Sequence, residues 1–167
     1  MTRQSGGTDQ PIIRVYRNDD VSALRQCIVE LQDHERQIDE RLRTGESIAA
    51  EYLEHVIRRC QESAGTILVV EFKDTIAGFV AVLARVPYKE LDQPPGEYAL
   101  VSDLVVREDC RRRGFGAALM REAERCAKDA GAVELRIGVL SANSVAKRLY
   151  RTIGFTPYLE TLTKRLE

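Results

Sequence analysis

Histidine is scarce in this chain, and cysteine is neither abundant nor paired. His34 and His55 are the only imidazoles, and no two of the four cysteines stand as CxxC. That argues against a metal centre or a dithiol redox motif. Residues 1–10 are polar and glycine-rich and lack the apolar core of a secretory leader, so Cys27, Cys60, Cys110 and Cys126 read as reduced thiols of a cytoplasmic protein. No apolar run approaches the ~18 residues that a membrane span requires. An excess of one charge is missing too: 25 Lys and Arg against 26 Asp and Glu leave a formal net charge of −1. A general nucleic-acid binder needs a basic surface, which is not expected here. Any basic site must be local.

What remains is the composition of an ordinary folded domain, with 44% hydrophobic and 31% charged residues over 167 positions. Residues 1–10 are expected to be a disordered tail, and residues 11–167 a single domain. Residues 12–16 read as a strand. Asn18-Asp19-Asp20 offers helix-capping chemistry, and Val21, Leu24, Ile28, Leu31 and Ile38 follow at helical spacing. Residues 44–47 break that helix, and a second one is expected over 48–62 with Ala49, Tyr52, Val56 and Cys60 on one face. Residues 66–71 and 75–86 form a hairpin about Lys73-Asp74. A proline-rich loop follows, and then a strand over 97–106, whose continuous apolar character predicts burial on both faces. A helix is expected after Gly116, with Leu119, Ala123, Ala127 and Ala130 on its stripe and Gly131 as its cap. Residues 133–140 read as a strand, and residues from Asn143 to Gly154 as a last helix. The alternating segment 155–166 reads as one or two final strands.

The segment between the 97–106 strand and its following helix carries the chemistry. Seven residues, Arg107 to Arg113, end in three successive arginines, and Gly114-Phe115-Gly116 then opens the helix. Helix starts present unpaired N–H groups and a partial positive charge, and glycines let a ligand approach the backbone. A phosphate suits such a place, and the arginines add fixed charge. A dinucleotide-binding loop would want Gly or Ala where Leu119 stands, and glycines tight against the strand, although Glu134 does lie at the spacing of a ribose ligand. A P-loop sequence is absent. A solvated arginine-rich turn with packing glycines is the plain alternative. In the last helix, Asn143, Ala146, Leu149, Tyr150 and Ile153 share one face, and Gly154-Phe155 follows.

Taken together, Arg111-x-x-Gly114-x-Gly116-Ala117 and Asn143-x-x-Ala146-x-x-Leu149-Tyr150-x-x-x-Gly154-Phe155 resemble the GNAT superfamily of N-acetyltransferases. The resemblance extends from Ile12 onward. It implies an α/β fold with a mixed sheet in the order β-α-α-β-β-β-α-β-α-β-β, and acetyl-CoA as cosubstrate without a metal. It places the coenzyme A pyrophosphate on the amides of Arg111, Arg112, Arg113, Gly114, Phe115, Gly116 and Ala117. The pantetheine arm would lie along the backbone of Leu104, Val105 and Val106, beside a bulge that opens a slot. Asn143 would bond that arm or orient its helix, and Tyr150 would serve the leaving thiolate as general acid.

The base is open. The glutamate that many members carry before Asp-Leu is replaced by Ser102. Asp103 acting through a water, Glu97 at the slot mouth, and selection of the neutral amine fraction all stand. The acceptor would be a small amine or a peptide or protein amino group, bound near residues 31–48, where Asp33, Glu35, Asp39, Glu40 and Glu46 mix with Arg36, Arg41 and Arg43. Members of the family are often dimers, so a homodimer is an open expectation. A non-catalytic acyl-CoA sensor or interaction module is the alternative function.

Overall fold

The computed structural model describes residues 10–93 and 95–166. The tail expected over 1–10 therefore lies outside the described residues, apart from Gln10. The elements are β1 (Ile12–Val15), α1 (Val21–Arg36), α2 (Gly45–Glu62), β2 (Thr66–Phe72), β3 (Thr75–Pro87), β4 (Glu97–Val106), α3 (Phe115–Asp129), β5 (Leu135–Ile137) and α4 (Ser144–Thr152). They build one mixed sheet in the order β1-β2-β3-β4-β5, antiparallel except for the parallel β4–β5 pair. The mixed α/β sheet is the one expected.

Two cores cover the two faces of the sheet. On one face α1 and α2 bury Leu24, Cys27, Ile28, Leu53 and Val56 against Ile67, Val69, Phe79, Ala81 and Val105. On the other, α3 buries Phe115, Leu119, Met120 and Ala123 against Leu68, Val70, Val80, Val82 and Val101. Strand β3 lies between two neighbours and between two helical layers, so every residue from Ile76 to Ala84 is buried. Each large apolar side chain so enclosed contributes about 1.5–3 kcal/mol. The strand buried on both faces is thus β3. In β4, buried and part-buried residues alternate from Tyr98 to Val106.

Glycine sets the α1–α2 junction. A Cβ on Gly45 would fall 2.5 Å from the Val29 carbonyl oxygen, so the first turn of α2 runs against α1 at a distance only glycine permits. Helix α2 therefore starts at Gly45, three residues before the sequence pattern places it, with Thr44 extended as its N-cap. The connection is tied back to α1 by Gln32, whose Nε2 donates to the Arg43 carbonyl (3.0 Å), and by Asp33, which accepts from the Gly45 N–H (2.8 Å).

The C-terminal third departs most from the expectation. β5 spans three residues and ends before Gly138, and no strand forms over 155–166. So short a strand offers almost no hydrogen-bonding edge for a further strand to pair with. Leu159, Leu162 and Leu166 remain more than four-fifths exposed, so the alternation there is not matched to a buried face.

Candidate active site

A slot opens where β4 and β5 part. They pair only from Ala99↔Leu135 to Val101↔Ile137. Along β3 the register shifts between Ala81↔Asp103 and Val82↔Val101, so Ser102 is an extra residue in β4. This is the expected β-bulge, and it changes the phase of the strand. Val101 faces the α3 core, whereas Asp103 reaches α2 and Val105 enters the α1/α2 core. Beyond Val101, Asp103, Leu104, Val105 and Val106 are paired on the β3 side alone among the described residues, and the bulged Ser102 is paired on neither side. This free backbone edge suits the amide groups of an extended ligand.

The turn after β4 closes one end of the slot. Gly114 adopts φ 80° as N-cap of α3, and Arg112 sits at φ 61°. Both lie in the left-handed region, and at Arg112 this costs roughly 1–2 kcal/mol. The result is that the N–H groups of Arg112, Arg113, Gly114, Phe115, Gly116 and Ala117 have no acceptor among the described residues, and the first bond of the helix is Ala118 N–H to the Gly114 carbonyl (3.0 Å). The Arg111 N–H is weakly engaged, with the Glu108 carbonyl at 3.3 Å. The arginines divide. Arg111 donates from Nε to the Val106 carbonyl (3.1 Å), which takes that acceptor from the free edge. Arg113 lies over the Phe72 ring at 5.4 Å. Arg112 is exposed.

Helix α4 lies directly above this turn. A Cβ on Gly116 would approach Leu149 Cδ2 to 3.2 Å and Val106 Cγ2 to 3.8 Å, so the cradle, the end of β4 and α4 meet at one point. The Asn143 side chain caps α4, accepting from the Ala146 N–H at 3.1 Å. Gly154 at φ 100° reverses the chain, the Phe155 N–H bonds the Tyr150 carbonyl (2.9 Å), and the Phe155 ring comes back to 6.0 Å from the Tyr150 ring. That is a helix-ending motif with its hydrophobic contact, and it explains the Tyr150-x-x-x-Gly154-Phe155 spacing as a device that orients the phenol. The Tyr150 hydroxyl has no partner among the described residues. Burial, with the Glu35 charge as a second cause, pushes its pKa up to about 12.

Across the slot stands a second group of polar side chains. Asp103 is only 5% exposed. Its Oδ1 accepts from the Tyr52 hydroxyl (2.8 Å) and its Oδ2 from the Ser102 hydroxyl (2.7 Å). Burial pushes the Asp103 pKa up, and these two hydrogen bonds, with Arg59 and His55 nearby, offset only part of the rise. Burial and the neighbouring carboxylate also push the Tyr52 phenol up. Tyr52 stood in the sequence on the apolar stripe of α2, and that position was the signal that it points inward.

Glu97 is not part of this group. It begins β4, six residues or ~20 Å along the strand from Asp103, and pairs with Arg85 at 2.8 Å. Glu134, the candidate ribose ligand of the dinucleotide reading, is held by Arg136 and by the Tyr88 hydroxyl. A depression of about 320 Å³ lies on α4, lined by Ser141, Ser144, Lys147, Arg148, Arg151 and Thr152, none of them a residue of the slot.

Residues 28–155 match the family model described as the Acetyltransferase (GNAT) family. The chain belongs to that family. A curated relative, the thialysine N-epsilon-acetyltransferase of Caenorhabditis elegans, is 30% identical over 86 residues, 48% of this chain and 54% of that protein, so the match spans about half the length of each. Among solved structures, the GCN5-related N-acetyltransferase of Ralstonia eutropha JMP134 superposes with a TM-score of 0.71 at 17% identity, covering 93% of this chain and 99% of that one. The aminoglycoside N-acetyltransferase AAC(6′)-Iy, solved with CoA, gives 0.66 at 15% identity over 93% and 99%. A transcriptional regulator from Bacillus halodurans C-125 gives 0.73 at 18% over 94% and 100%. At these identities the structures speak for the fold. The described residues contain no group of His, Cys, Asp and Glu able to hold a metal ion, and no helix among them is long and apolar enough to cross a membrane.

Proposed function

We propose that this acetyltransferase moves an acetyl group from acetyl-CoA to a primary amine by direct attack of the amine on the thioester, within one domain over residues 11–167 and in the cytoplasm. The observation that carries the reading is the meeting, at Gly116, of the unbonded amides from Arg112 to Ala117, the end of the free edge of β4, and α4, the helix that bears Tyr150. The amides hold the pyrophosphate. The backbone of Leu104, Val105 and Val106 holds the pantetheine arm, and one of its N–H groups polarises the thioester carbonyl. Asn143 acts by fixing the start of α4.

Tyr150 acts as a hydrogen-bond donor to the leaving thiolate. Full transfer from a phenol held near 12 to a thiolate of ordinary pKa near 8.5 would be uphill by roughly 5 kcal/mol. The same burial raises the thiol as well, which narrows the gap. Donation without complete transfer stabilises the developing charge at least cost, and the thiolate then takes the second proton, released from the nitrogen as the tetrahedral intermediate collapses, so that coenzyme A leaves as the free thiol.

Asp103 accepts the proton of the amine through Tyr52. The Tyr52 oxygen takes the proton as its own O–H proton passes to Asp103 Oδ1, so the phenol is left unchanged. A carboxylate raised by burial is the better acceptor. Ser102 stands where many relatives carry glutamate, and its hydroxyl here fixes the second oxygen of Asp103.

The acceptor reading is a small alkylamine, and thialysine, the substrate named for the worm relative, is the first to try. The experiment is acetyl-CoA-dependent thiol release against a panel of amines and peptides, with wild type and Tyr150→Phe. Turnover should fall about a hundredfold in the variant while acetyl-CoA affinity stays within a factor of about two. A variant indistinguishable from wild type, or a wild type that binds acetyl-CoA and releases no thiol with any amine, would leave a binding module instead.

A further inference from the structure

One carboxylate ties the approach to the phosphate cradle to the opposite layer of the molecule. Helix α1 packs on the face of the sheet away from α3, and its Cys27 shares a core with Val105 of β4. Glu30 follows Cys27 by one turn, and there the helix passes the end of β4. Glu30 Oε2 accepts from the Glu108 N–H at 2.9 Å, between residues 78 positions apart. Its Oε1 lies 3.8 Å from Arg107 Nε, a buried nitrogen without a hydrogen bond of its own. Residues Glu108–Cys110 form a single 3-10 turn, and Arg107, which precedes it, gives it no side-chain cap. Glu30 does from α1 what a capping side chain does locally: it satisfies an N–H at the start of the turn.

The turn so capped leads into the cradle. The Arg107 N–H bonds the Ala77 carbonyl on β3 (2.9 Å), and the Cys110 N–H bonds the Arg107 carbonyl (2.9 Å). Cys110 is buried in the α3 core. Two residues on, Arg112 sits at φ 61°. Such a residue persists only where its surroundings over-determine it, yet Arg112 is exposed. The restraint must come from its flanks. Downstream it is the first turn of α3. Upstream it is the turn over 107–111, and Glu30 is the side chain that hydrogen-bonds that turn from outside it. Without Glu30 the Glu108 N–H loses its acceptor and the buried Arg107 Nε loses its nearest carboxylate. The turn is then freer, and ordering it accompanies ligand binding and weakens it.

We propose that Glu30 is a positioning residue for acetyl-CoA: by capping the 108–110 turn from α1, it holds the amides of Arg112 to Ala117 in the direction that receives the pyrophosphate. This rests on the acetyl-transfer reading and deepens its phosphate site. Glu30 acts through the backbone of the turn, so its effect is confined to ligands that carry the pyrophosphate.

The test compares acetyl-CoA with S-acetylpantetheine, which keeps the thioester and the pantetheine arm and lacks the pyrophosphate. Dissociation constants measured calorimetrically on the whole chain need no acceptor. Glu30→Ala should bind acetyl-CoA about fivefold or more weakly, and S-acetylpantetheine within about twofold of wild type. Glu30→Gln, whose side-chain oxygen still accepts from the Glu108 N–H, should recover acetyl-CoA binding to within about twofold. Glu108→Pro deletes the N–H that Glu30 receives. Proline suits the first position of a helical turn, and Arg107 at φ −53° and ψ 144° is compatible with a proline after it. Adding Glu30→Ala to Glu108→Pro should therefore weaken acetyl-CoA binding by less than about twofold. Unchanged acetyl-CoA binding in Glu30→Ala, an equal loss for S-acetylpantetheine, or an undiminished loss in the proline background would make Glu30 a structural tie and overturn the proposal. If Glu30→Ala does not fold, Glu30→Met, which keeps the bulk of the side chain, is read in its place. A wild type that binds no acetyl-CoA would sink the acetyl-transfer reading and this proposal with it, whereas failure of the variants alone leaves that reading standing.

Discussion

Two regions of the molecule are built around a buried aspartate, and they treat it in opposite ways. At the β1–α1 junction, Asp20 is 7% exposed and meets Arg14 through two bonds of 2.7 and 3.0 Å, as well as the Arg17 N–H at 2.6 Å. Arg14 is held in turn by Glu71 at 2.8 Å. The guanidinium holds the Asp20 carboxyl below the usual carboxylate range. At the slot, Asp103 is no more exposed but lies deeper in the protein, receives only two neutral hydroxyls, and burial drives its pKa up. The charge of Asp20 is neutralised within the fold, while Asp103 has no cation bonded to it; in the proposed mechanism it is the proton of the amine that answers its charge. Depth of burial and the charge of the partner act together to send the two carboxyls in opposite directions.

The contrast can be broken first at Asp20. Asp20→Ala strands the Arg14 guanidinium with Glu71 alone, and removing one partner of a buried ion pair is costly. Unfolding should become easier by about 3 kcal/mol, read as a fall in the denaturant midpoint, while kcat per folded molecule is unchanged. A loss under about 1 kcal/mol would mean that the junction does not depend on the pair.

Asp103→Asn should give the mirror result. It removes the proton acceptor behind Tyr52, so kcat should fall about thirtyfold, with stability at pH 7 equal or slightly higher. The pH dependence separates the two further. A lowered pKa, as at Asp20, gives stability that is present above the unfolded value near 3.9 and lost as pH falls below it. A raised pKa, as at Asp103, works in the other direction: the folded state holds the proton more tightly, so stability declines as pH rises from about 4 through the raised value. The Asn variant should therefore show a flatter stability curve above pH 4 than wild type. An identical curve, or unchanged kcat, would remove Asp103 from the proton path.

Much of this arrangement was legible in the sequence, and the parts that were not have physical reasons. The glycine turn, the Asn143 cap and the Tyr150–Gly154–Phe155 end of α4 depend on local backbone chemistry, and local chemistry is written in order along the chain. The hairpin about Lys73-Asp74 and the stripe of α3 follow from the same kind of rule. The Asp103–Tyr52 bond joins residues 51 positions apart, and no local pattern reports it. Burial of β4 was overestimated because apolar content does not reveal how completely each face of a strand is covered: only alternate residues of β4 are buried. The strands expected over 155–166 failed for a related reason: alternation marks a possible strand, but pairing needs an edge long enough to receive it.

The central claim is that the amides from Arg112 to Ala117 receive the pyrophosphate of acetyl-CoA, and amide hydrogen exchange with and without that ligand tests it most directly. The account predicts that exchange slows at Arg112, Arg113, Gly114, Phe115, Gly116 and Ala117, and along the edge of β4 from Leu104 to Val106, when acetyl-CoA is present in excess. Saturating ligand that left the 112–117 amides exchanging at their free rate, with protection elsewhere, would contradict it.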